Sequence, residues 1–135
     1  MLSNAGVDFL YFDFTNGVKY IPTVTAMCEL SLQMRTQGIK TPYFAFILHT
    51  SAVTTAAQIY DQFYTNAKYN DLWFRWAGKP LLLSSPDSIY RADVAAYFNM
   101  KYSWANTDQT KPNSWQWIDS YPHHWGWSNV STDIE

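Results

Sequence analysis

Asp13, Thr15 and Asn16 stand close together at the end of a nearly unbroken apolar run, Phe9-Leu10-Tyr11-Phe12-Asp13-Phe14. A carboxylate beside a hydroxyl and an amide can hold a hydroxyl-rich ligand or take part in acid–base chemistry. Only two glutamates occur, Glu29 inside a helical pattern and Glu135 at the last position. Carboxylate chemistry within this chain therefore falls to aspartates, and by position Asp13 and Asp119 are the catalytic candidates. Glycoside hydrolysis needs two carboxyl groups flanking the scissile bond, about 5–5.5 Å apart with retention and about 6.5–9.5 Å apart with inversion. One of them must stay protonated, and an apolar, aromatic setting favours that form. Asp13, flanked by Tyr11 and Phe14, fits the requirement. The alternative is that Asp13 and Asn16 cap the turn into the next helix.

His49 leaves the second apolar run, Pro42-Tyr43-Phe44-Ala45-Phe46-Ile47-Leu48. Adjacent parallel strands would bring it near Asp13, to hydrogen-bond a ligand or to finish the strand in solvent. Trp104, Trp115 and Trp117 are candidate platforms for a ring-shaped ligand, because indoles combine a flat apolar face with a polar edge. His123 and His124 make a weak metal pair: consecutive residues point apart and no third ligand stands at a recognisable spacing. No metal site is expected.

These residues need a scaffold that gathers strand ends. The first run is bounded by Gly6 and Gly17 and lacks alternation, as in a strand covered on both faces of a parallel sheet. Pro22 suits a first helical turn, and Val24, Met27, Cys28, Ser31 and Met34 recur at helical spacing up to Gly38, a helix-ending glycine. A second helix is predicted over 53–67, with Ala56, Ile59, Tyr60 and Phe63 on one face. Ala77-Gly78-Lys79 is a turn signal between two short runs, 72–76 and 80–84, the second a third parallel strand and the first a hairpin arm or a cover for the rim. Pro86-Asp87-Ser88 opens a third helix with Asp87 or Ser88 as N-cap. Residues 101–105 form a fourth strand.

Strands alternating with helices give βαβ units and a parallel sheet. The first two strands start roughly 35 residues apart, close to the ~31 per unit of an eightfold barrel of ~250 residues. The expected fold is α/β: about four consecutive βα units of a partial (β/α)8, TIM-like barrel over 1–105. An irregular tryptophan-rich rim segment of the same domain follows over 106–135. Loops of that length and composition are commonly functional.

Composition removes several classes. A net charge of −2 and the absence of any Lys/Arg run argue against a nucleic-acid binder. One cysteine, Cys28, excludes a disulfide framework. No phosphate-cradling or dinucleotide motif and no G-x-S-x-G occurs, so no cofactor is expected. No apolar stretch approaches the ~20 residues of a membrane-spanning helix, and no basic n-region leads an apolar core. The aromatic share of 19% favours binding of ring-shaped ligands or partners, although aromatics also fill cores.

Gly6-Val7-Asp8-Phe9-Leu10 leading to Asp13-Phe14-Thr15-Asn16 resembles a strand of secreted bacterial barrel glycosidases similar to glycoside hydrolase families 71 and 99. The stretch Trp76-Ala77-Gly78-Lys79-Pro80-Leu81-Leu82-Leu83 resembles their substrate-side turn and the strand after it. Tyr102-Ser103-Trp104 and Trp115-Gln116-Trp117 resemble the strand and rim that follow. The resemblance implies a (β/α)8 barrel acting on glycans, with acids at its C-terminal rim and an intact parent in the periplasm or outside the cell. The chain holds enough units for half a barrel, so it is expected to be a fragment that needs the rest of the barrel, which can also supply one of the acids. On this reading Asp13 and Asp119 are catalytic, while Asn16, His49, Trp104, Trp115 and Trp117 bind substrate. The alternatives are a non-catalytic carbohydrate-binding module and a small doubly wound α/β ligand-binding domain.

Overall fold

The computed structural model describes residues 2–102 together with 113 and 114. Asp119, Trp104, Trp115, Trp117, His123, His124 and the bulk of the predicted rim segment 106–135 lie outside the described residues. A short 3₁₀ turn, Leu2–Ala5, leads into β1 (Phe9–Phe14). Next come α1 (Ile21–Thr36), β2 (Tyr43–Leu48) and α2 (Ala52–Ile59). A π-helical turn (Tyr60–Tyr64) and a 3₁₀ helix (Ala67–Leu72) lead to the hairpin strands β3 (Arg75–Trp76) and β4 (Lys79–Leu83). Helix α3 (Ala92–Tyr97) and β5 (Asn99–Lys101) complete the described elements.

The fold is α/β, built on a parallel sheet. β1 pairs with β2, β2 with β4 and β4 with β5, all parallel, so these strands stand side by side in chain order. A doubly wound sheet would reverse that order at some point. The helices gather on one face. Leu10, Phe12 and Phe14 of β1 and Phe44, Phe46 and Leu48 of β2 share a core with Val24 and Cys28 of α1, Ala56 and Ile59 of α2, and Val94 of α3. Ala45, Ile47, Leu81 and Leu83 form a separate cluster on the other face, joined by Phe9, Tyr11, Phe74 and Trp76 and by no residue of a described helix. Side-chain alternation sorts each strand between the two faces.

Helix α1 ends where the sequence indicates. Gly38, at φ 76°, donates to the Arg35 carbonyl while Ile39 donates to that of Met34, the paired bonds of a Schellman cap. Other boundaries shift. The π turn interrupts the predicted second helix and carries Phe63 and Tyr64 into the core, where Tyr64 lies against Trp73 with ring centres 4.2 Å apart. The third helix starts at Ala92 rather than beside Asp87, with the Asp93 carboxylate accepting from the Val94 N–H. The fourth strand is Asn99–Lys101 and so precedes the predicted 101–105.

The hairpin arm is inserted between β2 and β4. The Phe74 N–H donates to the Phe44 carbonyl, and the Leu81 N–H donates back to Phe74. The two-residue turn Ala77-Gly78 has φ 48° and 82°, both left-handed, which matches the strand twist of a tight hairpin. It leads into β4 at the N-terminal end of that strand, opposite the strand exits. The substrate-side placement implied by the resemblance is therefore corrected for this turn.

Candidate functional site

Parallel pairing delivers the ends of β1, β2, β4 and β5 to one edge. In register across them run Asp13, Ile47, Leu83 and Lys101, each paired with the next. Residues in parallel register share a face, so this row lies on the side away from the described helices. Three strand spacings put its ends about 14 Å apart on a flat sheet, and curvature shortens that.

Asp13 is exposed and does two things at once. Its Oδ1 accepts from the Thr15 N–H at 2.9 Å and from Thr15 Oγ1 at 2.6 Å, a local turn that fixes the chain as it leaves β1. Its Oδ2 takes no part in these bonds. The turn-capping reading and the ligand reading thus fall on different oxygens of one carboxylate. The described residues do not form the apolar enclosure expected around it, since Phe14 turns to the helix face and packs against Phe46. Tyr11 shares Asp13's face, and burial together with the Asp13 carboxylate raises the pKa of its hydroxyl.

Asn16 is exposed, with its Oδ1 accepting from the Val18 N–H at 2.9 Å, again a turn of spacing two. Its NH₂ group takes no part in that bond. His49 is exposed immediately beyond the Phe14–Leu48 pair, level with Thr15. The two exits are tied by the Thr50 N–H donating to the Thr15 carbonyl at 2.9 Å, and Gly17 lies against Thr50, where a Cβ would meet Thr50 Cγ2 at 3.4 Å. The structure therefore brings Asp13, Asn16 and His49 to one edge.

The same edge holds further polar residues beyond the candidates read from the sequence. Ser84, fully buried at the end of β4, shares a 2.7 Å hydrogen bond with Tyr90 Oη. Tyr90 donates its single hydroxyl proton to the Ser85 carbonyl, so Ser84 is the donor in that pair. Tyr102 Oη donates to Asp87 at 2.6 Å, so Asp87 serves this edge instead of capping α3. Lys101 is only 4% exposed and donates from Nζ to Asn113 Oδ1 at 3.0 Å. A buried ammonium is tolerated only when its hydrogen bonds are met, so such a residue at a strand end marks a polar centre. Its signal in the sequence is a lysine between Met100 and Tyr102, at the strand-end register that Asp13 occupies in β1.

Among the described residues no group of three His, Cys, Asp or Glu side chains could hold a metal ion. No helix among them is long and apolar enough to cross a membrane. Comparison of the chain with protein-family models, with curated proteins and with solved structures gave no match.

Proposed function

We propose that the C-terminal edge of the sheet binds a carbohydrate, and that the chain supplies the first four βα units of a (β/α)8 glycoside hydrolase. The observation that carries this reading is the Asp13 carboxylate, held by Thr15 through one oxygen and open through the other, on the face away from the helices. Such barrels collect their polar groups at this edge, on strands that follow one another without reversal. The one-sided helix layer and the consecutive strand order support that architecture. Asp13 acts as a rim carboxylate towards a sugar, and Asn16 and His49 hydrogen-bond its hydroxyls. Asp119 is the candidate partner acid, with Trp104, Trp115 and Trp117 as stacking platforms.

The exposure of Asp13 favours a second reading. An open carboxylate in a hydrogen-bonded turn suits binding of hydroxyls, or attack on a sugar, better than delivery of a proton. A non-catalytic carbohydrate-binding module would use the same oxygen. One experiment separates them: release of reducing ends from a glycan panel, with binding of the same glycans measured in parallel, for the full-length protein and its Asp13→Asn variant. Loss of turnover by about 100-fold or more with binding retained supports hydrolysis. Weakened binding where the parent shows no turnover supports the binding module. Unchanged turnover and unchanged binding remove Asp13 from the site and the proposal with it.

A further inference from the structure

The opposite edge of the sheet carries a cleft of about 460 Å³, lined by Arg35, Tyr43, Asn70, Asp71, Phe74 and Arg75 with the buried Trp73 behind them. It opens where the hairpin arm separates the start of β2 from β4. Its volume lies within the usual range for small-molecule sites, about 300–1,000 Å³.

Two guanidinium groups reach it from different elements. Arg35, near the end of α1, donates from Nε to Thr41 Oγ1 at 2.8 Å, from Nη1 to the Asp71 carbonyl at 2.7 Å and from Nη2 to the Pro42 carbonyl at 3.3 Å. It lies over the Tyr43 ring at 5.0 Å. Arg75 donates from Nη2 to Asn70 Oδ1 at 2.8 Å and from Nη1 to the Gly78 carbonyl at 3.4 Å. A guanidinium carries five N–H donors, so both have donors to spare. Every acceptor just named is neutral. The ion pairs among the described residues are formed by Lys68 with Glu29 and by Arg91 with Asp61 and Asp93. Asp71 is the one acid in the lining, and its carboxylate accepts only a long 3.5 Å contact from Asn70. The cleft therefore keeps a net positive charge on side chains already held in place.

The walls have a second character. Tyr43 is 44% exposed despite its size, and Phe74 is half-buried, stacked on Phe9 with ring centres 4.1 Å apart. Flat apolar walls beside forked donors suit a ligand with a ring at one end and a planar or tetrahedral oxyanion at the other. A purely structural role for Arg35, stapling α1 to the start of β2, accounts for its three bonds. It leaves unexplained the second cation, which Asp71 offsets only in part, and the exposed ring beside it.

We propose that this cleft binds a small anionic ring compound, a carboxylate or a phosphate monoester carried on a flat apolar body. It is independent of the sugar reading, because it uses the other edge of the sheet and none of the same residues.

Calorimetric titration of the full chain with phenyl phosphate and with benzoate tests it, using benzyl alcohol as the neutral control. Saturable binding with Kd on the order of 1 mM or tighter is expected for at least one anion, as fits ligands this small. The tighter of the two identifies the oxyanion. Arg75→Gln, at an exposed position, is expected to weaken binding about tenfold or more, and Asp71→Asn to tighten it about two- to fivefold. No saturable binding of either anion up to about 20 mM overturns the proposal, as does equal binding of benzyl alcohol. Binding that neither substitution changes, with the melting transition intact, also overturns it.

Discussion

The side chains that shape the β1 exit and those that tie α1 to the segment before the hairpin bond over very different lengths of chain. At the C-terminal edge the side chains that shape the β1 exit reach two residues along the chain, Asp13 to Thr15 and Asn16 to Val18. The N-terminal edge and the helix layer beside it are held by bonds that span 36 residues from Arg35 to Asp71, 39 from Lys68 to Glu29 and 40 from Tyr69 to Glu29. Local turns form with the strand that carries them. Long-range bonds require the fold to be in place, and each adds to the cooperativity of the whole. The first edge is thus suited to presenting groups to a ligand, and the second to holding elements together around a gap.

The sharpest test of this contrast is Arg35→Met, which keeps the apolar stem and removes the three hydrogen bonds. A loss of about 2–3 kcal/mol in urea unfolding is expected, since the Thr41 hydroxyl it satisfies is itself buried. Ser84→Ala at the other edge removes one buried donor, and a smaller loss of about 1–2 kcal/mol is expected. If Ser84→Ala proves the more damaging of the two, the division of labour between the edges fails. Ala77→Gly should go the other way, because a Cβ at φ 48° is strained. A gain of about 0.5–1 kcal/mol in thermal or urea melts is expected.

The smallest effect concerns pH. Hydrogen bonds from Lys68 and then from Tyr69 hold the Glu29 carboxyl below its ordinary value. Its folded-state pKa is depressed, so its contribution is present above the ordinary carboxylate range and is lost as the pH falls through the folded value. Asp61 and Asp93, held low by Arg91, act in the same direction. The hydrogen bond that Tyr69 donates to Glu29 raises that hydroxyl to about 12. Its contribution is complete below the ordinary tyrosine value of 10.0 and is lost as the pH rises towards about 12. Glu29→Gln should flatten both flanks of a stability–pH curve, leaving the acid-side slope from Asp61 and Asp93. A curve unchanged by Glu29→Gln would show that the cluster contributes nothing measurable.

The same difference in bond length explains what could be read from the residues. Asp13, Asn16, Gly17 and Gly38 carry their geometry in neighbours two or three positions away, so the strand exit and the end of α1 are legible. So is the parallel α/β arrangement, from the unbroken apolar runs of β1 and β2. The π turn at Tyr60–Tyr64 is not, because its sequence keeps a helical pattern and only contacts such as Tyr64 with Trp73 select the wider turn. Lys101 was passed over because its meaning depends on register with Leu83, Ile47 and Asp13, three strands distributed through the chain. The Arg35–Arg75 cleft is hidden for the same reason: its residues belong to elements that meet only after folding.

The inserted arm has one more effect. β2 and β4 touch directly at Phe46–Leu82 and Ile47–Leu83, whereas nearer their starts Phe74 lies between them. The separation is then one strand spacing, about 4.8 Å, at one end and two, about 9.6 Å, at the other. The pair opens like a fan, and its narrow end is where Asp13 and Lys101 sit in line. A wedge driven in at one rim thus splays β2 from β4 on the side of the Arg35–Arg75 cleft while the polar row at the far rim keeps ordinary strand spacing.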